Sequence, residues 1–153
     1  LSEELVDGYR STADGYIAKN MPLIENGELK NFIVSRYGAA RTGLKRSDSD
    51  GGCYIMDGGD TSLSDIIKNT KKGLLMNRFS AGSPCVNGDV TGVAKNSFLI
   101  ENGQIVGAVS ETMFSGNLTE MLMNVKAISS ERINDGSCIL PWVDFGGVTV
   151  SGK

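Results

Sequence analysis

No histidine occurs among these 153 residues, so the chain cannot itself assemble a Ser-His-Asp or Cys-His nucleophile or a histidine-ligated zinc site. Its thiols are Cys53, Cys85 and Cys138, odd in number, far apart and outside any C-x-x-C spacing. They point to neither a disulfide framework nor a zinc knuckle, and fit a reducing cytoplasm. Carboxylates number 18, but opposed acid and base roles depend on distances that spacing alone does not supply. "GAARTGLK" from Gly38 to Lys45 fails as a phosphate loop, because Leu44 separates Gly43 from Lys45 and no Ser or Thr follows that Lys directly. "DSDGG" from Asp48 to Gly52 begins with calcium-loop spacing but lacks the third ligand. "DFGG" at Asp144 to Gly147 stands without other kinase elements, and the nominal glycosylation triplet at Asn117 falls where a helix cap is expected.

The chain is long enough to bury one core, and a single domain is expected over 1–153. Hydrophobic residues make up 40% and charged residues 22%, with no apolar run near the roughly 18 residues of a membrane span. A net charge of −3 supplies no overall positive field for nucleic acid or anionic lipid. Arg41, Lys45 and Arg46, and Lys71 and Lys72, lie near Asp48, Asp50 and Asp65 and are expected on solvated loops. The opening "LSEELVDGYR" has neither an initiator Met nor the regions of a signal peptide, and reads like the middle of a longer protein.

The elements that would position any site are marked by a repeat. "LIENG" occurs at Leu23 to Gly27 and again at Leu99 to Gly103. Asn-Gly between β-capable segments is a type I′ hairpin signal, because that turn needs positive φ at both central residues. Two hairpins are expected, the first turning Leu29, Phe32 and Val34 or Ile33 inward. "GNLTEMLMNVKAISS" predicts a helix capped by Asn117 with Glu120 three residues on, and an apolar stripe of Leu118, Met121, Leu122, Val125 and Ile128. "DTSLSDIIKNTKKG" predicts a shorter helix begun by Ser62 and Asp65 and ended by Gly73. Strands are expected at Tyr54 to Met56, in "GLLMNRFS", and between Ile139 and Val150. The sum is an α+β fold dominated by mixed sheet, with two short helices.

Two long stretches, "NRFSAGSPCVNGDVTGVAKNSFLIENGQIVGAVSETMFSGNLTEMLMNVKAISSE" and "PWVDFGGVTVSGK", resemble the TldD/PmbA family of metallopeptidases, also called modulators of DNA gyrase. The ordered markers are Gly88-Asp89, Ala94 to Ser97, Ile100 to Gly103, Glu111-Thr112, Ser115 to Asn117, Pro141 and the closing Val150-Ser151-Gly152. "NMPLIENGELKNFIVSRYGAARTG" extends the similarity across almost the whole chain. The resemblance implies the last part of a C-terminal domain, a barrel-like β-rich shell around a cavity, in a cytoplasmic dimer.

In that family a TldD-type subunit holds zinc through a His-Glu-x-x-x-His helix and a downstream Cys, and degrades unfolded peptides or trims modified ones. The PmbA type, also called TldE, lacks the motif. With no His, the metal motif transfers to no residue here. Either the parent is of the PmbA type, or a TldD-type parent carries its metal helix before Leu1. Cys138 lies in "GSCILPW" rather than the family's Cys-Gly-Lys, which favours the PmbA type and a buried structural thiol. Zinc is then expected only in a TldD-type parent or partner subunit, and the partners implied are a second copy or a TldD-type subunit, with an unfolded or modified peptide as substrate. A non-proteolytic binding or assembly module is the alternative. For peptide binding, "VGAVSETMFSGN" is the expected cavity wall: Glu111, Thr112 and Ser115 offer polar groups, and Gly116 allows close approach before the helix capped by Asn117. The same residues also satisfy ordinary turn and capping rules.

Overall fold

Both Asn-Gly pairs take the left-handed backbone of a type I′ turn in the computed structural model: φ is 52° and 78° at Asn26 and Gly27, and 49° and 78° at Asn102 and Gly103. The structure describes residues 7–152. Leu1 to Val6, on which the expectation about the chain's start rests, lie outside the described residues, as does Lys153. The chain sorts into two compact units, one made of the described residues through Asp57 with Ile133–Leu140, the other of Gly58–Arg132 and the described residues from Pro141 onward.

In the first unit β1 (Ile24–Glu25) and β2 (Glu28–Leu29) pair antiparallel around the first Asn-Gly turn. The arms are shorter than expected, and Phe32 stays exposed rather than turning inward. The segment that follows forms α1 (Arg36–Thr42), a helix the apolar periodicity did not announce. Its signals are its ends. Ser35 Oγ accepts the Gly38 N–H at 3.1 Å, and Gly43 closes the helix at φ 73°. Arg46 is not on a solvated loop: its guanidinium donates to both Asp14 carboxylate oxygens at 2.6 and 2.9 Å, to Thr12 Oγ1 at 2.7 Å and to the Ser47 carbonyl at 2.6 Å, and lies 4.1 Å from the Tyr16 ring centre. These bonds, with one from Thr12, hold the Asp14 carboxyl well below the usual carboxylate range. The strand expected at Tyr54 to Met56 is reduced to an isolated parallel bridge between Ile55 and Ile139.

The second unit opens with α2 (Leu63–Asn69), where Ser62 Oγ accepts the Asp65 N–H at 3.1 Å and Ile66 is buried. The helix stops at Thr70, before Gly73. A five-stranded sheet follows, built from β3 (Lys72–Ala81), β4 (Asp89–Glu101), β5 (Gln104–Val109), β6 (Met113–Asn117) and, after further elements, β9 (Thr149–Ser151). Its order is β3-β4-β6-β9, with β5 also on β4, and its pairings are all antiparallel where mixed pairing was expected. Phe114 and Phe79 meet edge to face at 5.5 Å on the apolar side. Gly92 makes room for Phe114 and Ala81, since a Cβ there would lie 2.8 Å from Phe114 Cε1 and 2.7 Å from Ala81 Cβ.

The capped helix is shorter than its sequence predicts. Between β6 and β7 lies α3 (Leu118–Met123); Asn124 leaves the helix at φ −112°, and Val125–Asn134 continues as β7, paired with β8 (Ile139–Phe145). Leu122, expected in the core, is 63% exposed. Two forces override the helical spacing. Val125 and Ile128 are β-branched and lose rotamer freedom in a helix, and Ser129, fully buried, accepts the Trp142 N–H at 2.8 Å and donates to the Glu131 carbonyl at 2.6 Å, bonds that an extended chain provides. The architecture remains α+β and β-rich, with three short helices among the described residues rather than two, and open sheets.

Candidate functional site

The antiparallel register of the second unit decides which side chains share a face. Asp89 stands opposite Asn117, Thr91 opposite Ser115, and Ser115 opposite Thr149. Directly opposed residues point to the same side, so one face carries Asp89, Thr91, Ser115, Asn117 and Thr149, with a row of three hydroxyls crossing β4, β6 and β9. The intervening residues Gly92, Phe114 and Val150 occupy the apolar side, while Val90 belongs to the cavity wall described next. Above the polar face lies an open cavity of about 530 Å³, whose wall also includes Glu120, Cys85, Gly116 and Gly147.

Gly116 brings the backbone close here. A Cβ at that position would sit 3.2 Å from Met121 Sδ and 3.4 Å from the Gly147 carbonyl oxygen. Thr91 Oγ1 donates to the Phe114 carbonyl at 3.1 Å, tying β4 to β6. Asn117 caps α3, its Oδ1 accepting from the Thr119 N–H at 3.0 Å and the Glu120 N–H at 3.4 Å. Its Nδ2 donates to Asp89 Oδ1 at 3.0 Å and to the Asn87 carbonyl at 2.9 Å. Hydrogen bonds from Asn117 and then Asn87 hold the Asp89 carboxyl below its ordinary range. Asp89 thus stays ionised at neutral pH. Among the described residues the ion pairs Lys30–Glu28, Arg46–Asp14 and Lys68–Asp65 lie elsewhere.

Of the five residues expected from sequence to meet a peptide, Ser115, Gly116 and Asn117 line this cavity. Glu111 and Thr112 do not. Thr112 is 4% exposed, its hydroxyl donating to the Ser110 carbonyl at 3.0 Å and its own carbonyl accepting the Ala94 N–H at 2.9 Å. Glu111 is exposed at φ 51°, in the link between β5 and β6. Asp89, Thr91 and Thr149 were missed as site residues, and Glu120 was assigned only to the cap. Their signal was a period of two in polar residues, Asp89 with Thr91, Ser115 with Asn117, and Thr149 with Ser151, which acquires meaning only once the strands are in register.

An α+β unit built on an antiparallel sheet, with a polar cavity at the sheet's end, is the class that fold and site define. A family model described as the PmbA/TldA metallopeptidase C-terminal domain matches residues 3–152, and the chain belongs to this PmbA/TldD family. It is 28% identical to the metalloprotease PmbA of Escherichia coli O157:H7, over 94% of this chain and 34% of that protein. With a metalloprotease of Methanothermobacter thermautotrophicus the identity is 29%, over 90% of this chain and 34% of the relative. Among solved structures, a protein described as a modulator of DNA gyrase from Bacteroides thetaiotaomicron superposes with a TM-score of 0.83 at 25% identity, over 97% of this chain and 34% of that one. TldE from Thermococcus kodakarensis superposes with a TM-score of 0.76 at 26% identity, over 94% and 36%. The chain therefore spans about a third of the relatives it matches.

The family name implies a metal, and the donors present here do not fit one. Zinc in proteins takes imidazole, thiolate or carboxylate in a tight tetrahedron. These residues include no imidazole, and among the described residues no three His, Cys, Asp or Glu side chains converge. Cys53, Cys85 and Cys138 are free thiols; Cys138 is half-buried rather than buried. Among the described residues no helix is long and apolar enough to cross a membrane.

Proposed function

We propose that this chain is a PmbA/TldE-like, noncatalytic part of a metallopeptidase that acts on unfolded or modified peptides, serving as shell and peptide guide. The observation that carries the reading is the cavity over the polar sheet face, walled by Ser115, Gly116, Asn117 and Thr149 beside the edge strand β9. An edge strand offers unpaired N–H and C=O groups to which an extended peptide adds as a further strand, so affinity depends on main chain more than on side-chain identity. Such binding suits unfolded substrates of many sequences. The chemistry belongs to zinc held by a TldD-type partner or by a region beyond these residues, since the donors here do not suit it. The same division of labour favours a dimer with a TldD-type subunit, a second copy being the alternative partner, and the unpaired thiols support a cytoplasmic setting.

The test is photo-crosslinking with an unfolded casein-derived peptide carrying a benzophenone, followed by peptide mapping. Crosslinks should concentrate on 113–117 and 149–151. Crosslinks confined to other segments would overturn the reading, as would casein cleavage by the chain alone in the presence of zinc.

A further inference from the structure

One side chain joins three of the segments that bound the cavity. Asn117 makes four hydrogen bonds: two accepted, from the first turn of α3, and two donated, to Asp89 on β4 and to the Asn87 carbonyl in the turn before it. That turn has little freedom of its own. Cys85 N–H donates to the Asp89 carbonyl at 2.8 Å, Gly88 N–H to the Cys85 carbonyl at 2.8 Å, and Leu118 N–H to the Gly88 carbonyl at 2.9 Å. Gly88 sits at φ 91° with the Asn117 amide over it, where a Cβ would come within 3.2 Å of Nδ2.

We infer that Asn117 is the positioning residue of this cavity, an amide clamp that locks the 85–88 turn, the start of β4 and the first turn of α3 into one rim. The inference rests on the reading of the cavity as a peptide site. A helix cap alone needs only an acceptor, and Ser, Thr and Asp supply one as well as Asn. What distinguishes Asn here is the simultaneous donor, which a carboxylate or a serine hydroxyl cannot provide to two acceptors at once. The donor faces a carboxylate, so the bond is charge-assisted and stronger than a neutral one. It also fixes which Asp89 oxygen turns toward Asn117 and which toward Asn87, whose Nδ2 donates to Asp89 Oδ2 at 2.7 Å. The acidic character of the cavity wall is thereby oriented as well as retained.

The test separates cap from clamp. Asn117→Asp keeps the acceptor that caps α3 but removes both donors and sets a second carboxylate against Asp89; Asn117→Ser keeps the cap without the charge. Exchanging the pair, Asn117→Asp with Asp89→Asn, restores a donor facing an acceptor. The readouts are titration of the Asp89 carboxyl carbon by NMR in the single variants, and binding of a fluorescein-labelled casein-derived peptide by anisotropy in all of them, with circular dichroism confirming the fold. Asn117→Asp should raise the Asp89 pKa toward or above the ordinary carboxylate range and weaken peptide binding by about tenfold. Asn117→Ser should raise that pKa less, and the exchanged pair should recover most of the binding. An Asp89 titration unchanged in both single variants overturns the clamp, as does binding that the exchange fails to restore. If the unaltered protein binds no peptide, the peptide-site reading fails, while the Asp89 titration still decides whether the clamp exists.

Discussion

The two copies of "LIENG" end in the same turn and lead different lives. In the first, Ile24 and Leu29 are both more than half exposed, and nothing lies within 4 Å of where a Gly27 Cβ would be. In the second, Ile100 is 5% exposed and the tip is bound to the end of α2: Asn102 N–H donates to the Lys71 carbonyl at 2.7 Å and Gly103 N–H to the Thr70 carbonyl at 2.9 Å. A Cβ on Gly103 would stand 2.5 Å from the Lys68 carbonyl oxygen. The turn is a local solution to a backbone problem, available wherever Asn-Gly sits between extended arms. Its energetic weight comes from what packs on it.

Substitution at the shared positions should expose that difference. Ile100→Ala removes buried methyl groups and should cost about 2–5 kcal/mol, whereas Ile24→Ala on the exposed arm should cost about 0.5 kcal/mol or less. Urea denaturation of the two variants compares them directly, and equal costs would mean that the first hairpin is as deeply packed as the second.

Next in size is the turn glycine. Gly27→Ala meets only the penalty of a left-handed backbone, about 1–2 kcal/mol, while Gly103→Ala adds a collision with main chain that cannot swing aside, bringing it to about 3 kcal/mol. Indistinguishable melting temperatures for this pair would break the comparison.

A smaller effect tests the helix correction. Leu122 lies on α3, which ends before it can bury that face, so Leu122→Ala should cost no more than about 0.5 kcal/mol. A loss of several kcal/mol in urea would restore the longer buried helix.

Acid should act on the support of the second tip. Hydrogen bonding from Ser62, and then Lys68, lowers the Asp65 pKa in the folded protein. Protons therefore bind the unfolded chain more readily. The stability Asp65 contributes is fully present above the unfolded carboxylate value and lost as pH falls through the lowered folded value. Asp65→Asn should reduce the melting temperature at pH 7, and the difference should shrink as pH falls below the unfolded carboxylate value and through the lowered folded one. A difference that persists undiminished into acid would assign the effect to something other than charge. Smallest of all, Glu25→Gln and Glu101→Gln, beside the turns and exposed in both, should leave the melts unchanged; a shift in either would show that the repeated Glu has a role beyond the turn.

Some features were legible because their causes are local. Ser62 and Asn117 announced helix starts, and each accepts the backbone N–H groups a cap should. The Asn-Gly pairs announced turns. The family resemblance drew on ordered markers along the chain, and the matched region bears it out. The site was only partly legible. Ser115, Gly116 and Asn117 were named from one segment, but the residues that complete the polar face come from β4 and β9, roughly 25 residues before and 30 after on the chain, and no window of sequence contains them together. Thr112 was misjudged for a different reason, since it is buried in the link between β5 and β6 and its hydroxyl is spent on the Ser110 carbonyl two residues back.

By itself the sequence determined where turns and caps fall, that imidazole chemistry is absent from these residues, and which family the chain resembles. Those depend on steric limits at single residues, on hydrogen bonds a few positions apart, and on composition. Tertiary structure alone decided how long α3 would be, which hairpin tip would be packed, and which polar side chains would share one face. The reason is physical: helical spacing at Val125 and Ile128 competes with strand pairing whose energy is collected from partners far along the chain. In a sheet, moreover, a register change of one residue sends every side chain to the opposite side.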